Sequence, residues 1–451
     1  MSILLLVCAL LAVPVVLVCA WRYPIQTFMW SMVVLPVWVA PAIPGAGHLY
    51  PPCAIALVGI VSVMCRGRAD IRIDAPLVAV VAGLFLTFTV GGYALGGIAA
   101  ASTVPVGFWA APFVFGLLAQ REPNSPAKIL DSIRWGGLTL AVFAVFETLL
   151  NGTSRCTGPG ASEIAALTPA QRTGYDGKTA DSCITIGKLF PILNEGSGSL
   201  QDVQTRGGML RAEVTWGHSI ALSGILAAAL YLWLTSQSRF KYPAAALCTA
   251  AVFLSGSRSG LICVGIAMGL AILRWSYGSA TRQLILPAAF AVVGVSVYAV
   301  YSAKVDMQTQ TDYSASSAYR ERLVAAALEG SNLWGPADQY KITEAGARFM
   351  RFLFLDNSLI QTLVGAGWVA AVCLAILYAV IAIKSVWNLR NPMWSVLVLQ
   401  LPGLLSAGFF TQHQMLFWFV VGAACCQYRA GVEEDDVSAR SGPAEFRVEA
   451  R

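Results

Sequence analysis

Thirteen long apolar runs recur along this chain, and their length restricts its fold more than any motif does. They lie at 2–20, 24–41, 52–65, 76–95, 104–119, 129–150, 214–235, 243–256, 259–274, 284–302, 357–383, 393–409 and 413–428. A helix needs about 20 residues to cross a hydrocarbon layer of roughly 30 Å, and somewhat fewer where it ends at an interface. Backbone groups in lipid must be satisfied within the segment, so these runs are expected to be helices; the two-residue alternation of a spanning barrel is absent. The pairs 243–256/259–274 and 393–409/413–428 read either as tight hairpins or as single broken elements, which sets the expected count at 11 to 13. The expected fold is therefore all-α, a polytopic integral membrane protein in contact with membrane lipids. Composition agrees. An ordinary soluble domain carries about 25% charged residues; this chain carries 12%, with 57% hydrophobic and a mean hydropathy of +0.66. A net charge of +6 over 451 residues supplies no basic patch, which excludes a nucleic-acid partner.

Lys and Arg collect in alternate short loops, the pattern of a cytoplasmic face. Arg66, Arg68 and Arg72 share one such loop; Arg121 with Lys128, Arg239 with Lys241, Arg274 with Arg282, and Lys384 with Arg390 fill the others. The opposite side receives the uncharged turn Pro41–Pro52 and two long segments, 151–213 and 303–356, which are exempt from the charge rule. This pattern places the first residue outside if 2–20 is a separate helix. Residues 1–20 lack a positive leading region, so an uncleaved first helix is expected. The resulting division is 1–150, N-terminal membrane helices; 151–213, an outer loop; 214–302, central membrane helices; 303–356, a large outer loop; 357–428, C-terminal membrane helices; and 429–451, a polar cytoplasmic tail carrying Glu433-Glu434-Asp435-Asp436. Most of the 11 cysteines lie in the spans as packing residues, but Cys156 and Cys183 fall in the outer loop, where a disulfide is open to them.

No soluble-enzyme motif is present: no phosphate-binding GxxxxGK[ST], no HExxH, no paired CxxC. The informative residues are charges at the outer ends of helices, where burial beside lipid is expensive. Arg211-Ala212-Glu213-Val214-Thr215-Trp216-Gly217-His218 leads into the span at 214–235; the plain reading is an interfacial anchor. Ser255-Gly256-Ser257-Arg258-Ser259-Gly260 is a polar break between two apolar runs. A turn needs its Gly and Ser, while Arg adds a permanent cation whose planar fork suits two phosphate oxygens; a solvated turn also carries Arg. Ser317–Gly330, with Arg320, has the pattern of an amphipathic helix lying either on the membrane face or in solvent. Asp356-Asn357 precedes the span at 357–383, either as a helix cap or as a carboxylate able to take a proton from a hydroxyl.

In these four places together the chain resembles the O-antigen ligase and O-antigen polymerase superfamily, membrane glycosyltransferases that use a lipid-linked donor without a metal. The family pattern is matched by Arg211-Ala212 with Trp216-Gly217, by Ser255-Gly256-Ser257-Arg258, by Arg320, and by Asp356-Asn357 with Gly367. Two positions depart from it: Asp356 stands where the family often has His, and Ala370 where the ligases have Gly, Thr or Tyr. The resemblance implies a GT-C-like fold in a bacterial inner membrane, with the active site facing outward and no cofactor or metal. Its implied partners are an undecaprenyl-diphosphate-linked oligosaccharide donor and a glycan or glycolipid acceptor. Arg258 and Arg211 would stabilise the departing diphosphate, and Asp356 would act on the acceptor hydroxyl. Arg320, Glu213, His218 and Asn357 would bind diphosphate or acceptor. The competing class is a transporter or flippase, for which matching broken helices and mid-membrane ionisable residues would be expected.

Overall fold

The computed structural model describes residues 3–35, 42–43, 47–48, 50–66, 71–151, 205–206, 209–210, 212, 214–216, 218–275, 324–337, 357–389, 391–408 and 411–428. Helix accounts for 84% of them. Strands among these residues form three two-stranded pairings of two or three residues each. Among the described residues three helices are long and apolar enough to cross a membrane: Ser125–Leu150, Arg258–Trp275 and Trp368–Trp387. Shorter apolar helices pack around them.

The first half of the chain holds α1 (Ile3–Arg22), α2 (Pro24–Val34), α3 (Pro51–Arg66), α4 (Ala75–Ala101), α5 (Ala111–Ala119) and α6 (Ser125–Asn151). Between α4 and α5, Ser102–Ala110 winds as π-helical turns, and Pro105 within them has no N–H to give to the helical ladder. The carbonyl of Gly107 there accepts from the Cys53 thiol at 3.1 Å. The rings of Phe88 and Trp109 meet at 4.2 Å, whereas a straight helix would part them by about 30 Å. The chain has therefore doubled back between them. The second half holds α7 (Ser219–Leu234), α8 (Lys241–Leu254), α9 (Arg258–Trp275), a short helix over 324–330, α10 (Ser358–Ala366), α11 (Trp368–Trp387), α12 (Pro392–Val398), α13 (Leu401–Ala407) and α14 (Thr411–Ala424).

Several boundaries differ from hydropathy, each for a local reason. The span expected from 214 starts only at Ser219, because Val214–Trp216 forms a single tight turn with Val214 at φ 52°. The span expected at 357–383 is two helices, broken at Gly367. Gly367 sits at φ +90°, and a Cβ there would lie 2.8 Å from the Asn332 carbonyl, so only glycine fits. The stretch 332–337 docks on this break: Trp368 N–H donates to Asn332 O at 3.0 Å, and Ala337 N–H to Val364 O at 2.8 Å. Helix-end groups of α10 and α11 are thus satisfied by the loop. The pair 243–256/259–274 is a tight hairpin of α8 and α9, while 393–409 is interrupted at Leu399-Gln400 before Pro402. Past α14, Cys426–Tyr428 pairs antiparallel with Ile71–Ile73 instead of continuing as helix. The span expected at 284–302, the Cys156/Cys183 pair and the tail from 429 lie outside the described residues.

An aromatic core of Phe28, Phe85, Trp109, Phe113, Phe115, Trp418 and Phe419 joins α2, α4, α5 and α14. Trp109 Nε1 donates to Gln414 Oε1 at 2.6 Å, which satisfies two polar groups in an otherwise apolar layer.

One end of the bundle gathers the basic loops. Arg66 donates to the Trp21 carbonyl, and Glu122 accepts from Lys128 at 3.1 Å while lying 3.8 Å from Arg66. Lys384 reaches Asp74 at 2.7 Å. The Lys384 ammonium holds the Asp74 carboxyl below the ordinary carboxylate range, aided by the Leu77 N–H. A lowered folded-state value means that the pair's stabilisation is fully present above the ordinary carboxylate range and is lost as pH falls through the lowered value. Asp74→Asn is expected to cost less than about 1 kcal/mol at neutral pH, since both side chains are partly exposed. In strong acid the gap to the wild type should close, read as unfolding midpoints in detergent at both pH values.

Candidate functional site

The opposite end of the bundle gathers the segments singled out by sequence. Ala212 N–H donates to the Leu254 carbonyl at 3.1 Å, tying Ala212 to the end of α8, immediately before the Ser255–Arg258 turn. Val214 N–H donates to Glu147 Oε2 at 3.0 Å, and Thr215 Oγ1 to the Val33 carbonyl at 2.7 Å. These bonds hold 214–216 against the ends of α6 and α2. Trp216 is buried against His413, with ring centroids 6.3 Å apart.

Within the turn each small residue has a structural task. Ser257 caps α9, its Oγ accepting from Gly260 N–H at 3.1 Å. Ser257 also meets Ser259 at 2.9 Å and Ser223 of α7 at 3.3 Å. A Cβ on Gly260 would sit 2.6 Å from the Ser223 Cβ, so the glycine is what lets α7 and α9 press together here. Arg258 follows as the first residue of α9, half-buried, with Nε and Nη2 closed off from solvent. The first turn of a helix adds partial positive charge and unpaired N–H groups, the local conditions for receiving an anion.

His218 caps α7: its Nδ1 accepts from Ile220 N–H at 3.2 Å, which requires that nitrogen to be unprotonated and leaves Nε2 as the donor. Asn357 caps α10, with Oδ1 accepting from Leu359 N–H at 2.8 Å and Ile360 N–H at 3.4 Å. Only its amide NH2 remains to meet a ligand. Asn357→Ala is expected to cost about 1 kcal/mol of stability through the lost cap, measured as a shift in the denaturation midpoint. Behind it, Ser358 and Tyr378 share a buried hydrogen bond of 2.8 Å.

His218 and Arg258 stand at the starts of α7 and α9, which meet at Ser223 and Ser257. Asn357 stands on α10, and α13 packs against both α9 and α10. Arg211, Glu213, Arg320 and Asp356 lie outside the described residues. Sequence reasoning assigned His413 no task. The structure places it in the first turn of α14, 1% exposed, beside Gly224 and Gly403, with neither ring nitrogen hydrogen-bonded. It also missed Gln412, whose Nε2 donates to the Leu35 carbonyl at 2.6 Å. Both belong to the polar stretch Thr411–Gln414 at the edge of the last expected span, which hydropathy reads only as a boundary.

Comparison with family models, with curated proteins and with solved structures finds no match to this chain. Any functional conclusion therefore rests on the site itself.

Proposed function

We propose that this chain is a polytopic membrane glycosyltransferase of the O-antigen ligase/polymerase kind, GT-C-like, with 11 to 13 spanning helices in a bacterial inner membrane. It would move a glycan from undecaprenyl diphosphate to a sugar hydroxyl on a glycan or glycolipid at the outer leaflet, in cell-surface polysaccharide assembly. The observation that carries this reading is the Ala212–Leu254 hydrogen bond, which brings the segment after Arg211 beside the turn presenting Arg258. Two stretches about 40 residues apart in the motif pattern become neighbours at the end of the bundle away from the basic loops.

In the proposed reaction the acceptor oxygen forms a bond to the anomeric carbon while the bond from that carbon to the diphosphate oxygen breaks. The electron pair leaves on the diphosphate, and the configuration inverts. Arg258 and Arg211 stabilise the charge that develops on the leaving group, with Arg320 as a third cation. Asp356 orients the acceptor hydroxyl and receives its proton, with Glu213 as the fallback base. His218, through Nε2–H, and Asn357, through its amide, donate to substrate oxygens.

The test incubates purified protein in detergent with a lipid-diphosphate-linked oligosaccharide and looks for longer chains or for transfer to a second acceptor, with and without a chelator. A transporter or flippase has one observation in its favour: the helix breaks at Gly367 and at Leu399-Gln400. Flux of labelled lipid-linked saccharide across proteoliposomes, without any new glycosidic bond, would select that reading instead.

A further inference from the structure

A second feature lies at the basic end, far from Arg258 along α9. A cleft of about 540 Å³ opens where α7 ends, α8 begins and α9 ends. We propose that it binds a phosphate group, presented by an anionic phospholipid headgroup or by a soluble phosphate ester. Lys241 and Arg274 line it from different helices, with the Gln237 amide between α7 and α8. Four other cations of this end have carboxylate partners: Lys128 and Arg66 share Glu122, Arg134 has Asp131 at 2.7 Å, and Lys384 has Asp74. Among the described residues Lys241 and Arg274 have none, so two positive charges line one cleft uncompensated.

Arg274 is also held in advance. Its Nη1 donates to the Leu389 carbonyl at 3.1 Å and to the Tyr231 hydroxyl at 3.4 Å, leaving Nε and Nη2 for a bidentate anion. The carbonyl end of α7 would repel an anion. Two side chains occupy it: Thr235 Oγ1 donates to Tyr231 O at 2.9 Å and Ser236 Oγ to Trp233 O at 2.9 Å. At the mouth, Tyr242 and Trp275 are 63% and 55% exposed, the placement of aromatic anchors at headgroup depth. Because α9 is one of the described helices long enough to cross a membrane, a cleft at its end would lie near the level of lipid phosphates if α9 spans. Basic pockets between membrane helices are known to take such groups.

The experiment uses the purified full-length chain and native mass spectrometry, comparing retention of phosphatidylglycerol with that of phosphatidylcholine. The wild type is expected to keep phosphatidylglycerol preferentially, and Lys241→Gln to weaken that retention about tenfold. Arg239→Gln, a neighbouring cation that does not line the cleft, is the control and is expected to change retention less than about twofold. In a parallel arm, inorganic phosphate is compared with chloride at equal ionic strength by thermal melting. Protection by phosphate that depends on Lys241 would support the site with a free phosphate as sufficient ligand. Lipid retention that depends on Lys241 without such protection would support it with the headgroup as ligand. Equal retention of both lipids with no phosphate effect, or equal weakening by Lys241→Gln and Arg239→Gln, would overturn it.

Discussion

Arg258→Ala is expected to lower glycan transfer by about 10²–10³-fold under the proposed chemistry, the usual loss when one preorganised donor to a developing anion is removed. Arg258 stands at the start of α9 with Nε and Nη2 closed off from solvent, so its interaction with a diphosphate would be little screened. Ser257, not Arg258, supplies the cap of α9, so truncating Arg258 should leave the helix and membrane insertion in place. Arg258→Lys keeps the charge but loses the planar fork, and its activity is expected to fall between alanine and wild type. The measurement is turnover of a lipid-diphosphate-linked oligosaccharide at matched protein level. Full activity in Arg258→Ala would remove the basis of the functional proposal.

Gly116→Val is expected to give the largest loss of stability, about 3 kcal/mol or more, since overpacking against backbone leaves no side chain to yield. A Cβ on Gly116 would lie 2.0 Å from the Phe419 carbonyl of α14, and one on Gly422 would lie 2.1 Å from the Phe113 carbonyl of α5. These two glycines face each other's helices and let the backbones approach, the arrangement by which membrane helices associate without a hydrophobic driving force. Pushing them apart would open the layer of Phe28, Phe115 and Phe419. Gly83 is the contrasting position: a Cβ there meets nothing within 4 Å. Gly83→Ala is expected to be neutral or slightly stabilising through helix propensity alone. Denaturation midpoints of the two variants in the same detergent would separate packing from propensity.

Part of the candidate site could be read before folding. The Ser255–Arg258 break was visible because Gly and Ser interrupt apolar runs, and a capping role was open to Asp356 or Asn357 from residue type alone. Asn357 fills it. The start of α7 was misplaced because Val214–Trp216 is as apolar as a helix, while its conformation is set by Glu147 and Val33, distant in sequence. Gly367 was quoted only as a spacing marker, since hydropathy runs smoothly across it. The break is imposed by the carbonyls of 332–335 lying against it.

Sequence by itself determined the helical, apolar character of the fold; it led to an expectation of 11 to 13 spans, and among the described residues three helices are long and apolar enough to cross a membrane. Length and apolarity are local properties, and satisfying the backbone within each segment needs no partner. Tertiary structure decided where helices stop, which carboxylates neutralise which cations, and that Ala212 lies against Leu254. Those outcomes depend on hydrogen bonds and contacts between residues far apart in the chain, which no window along it contains.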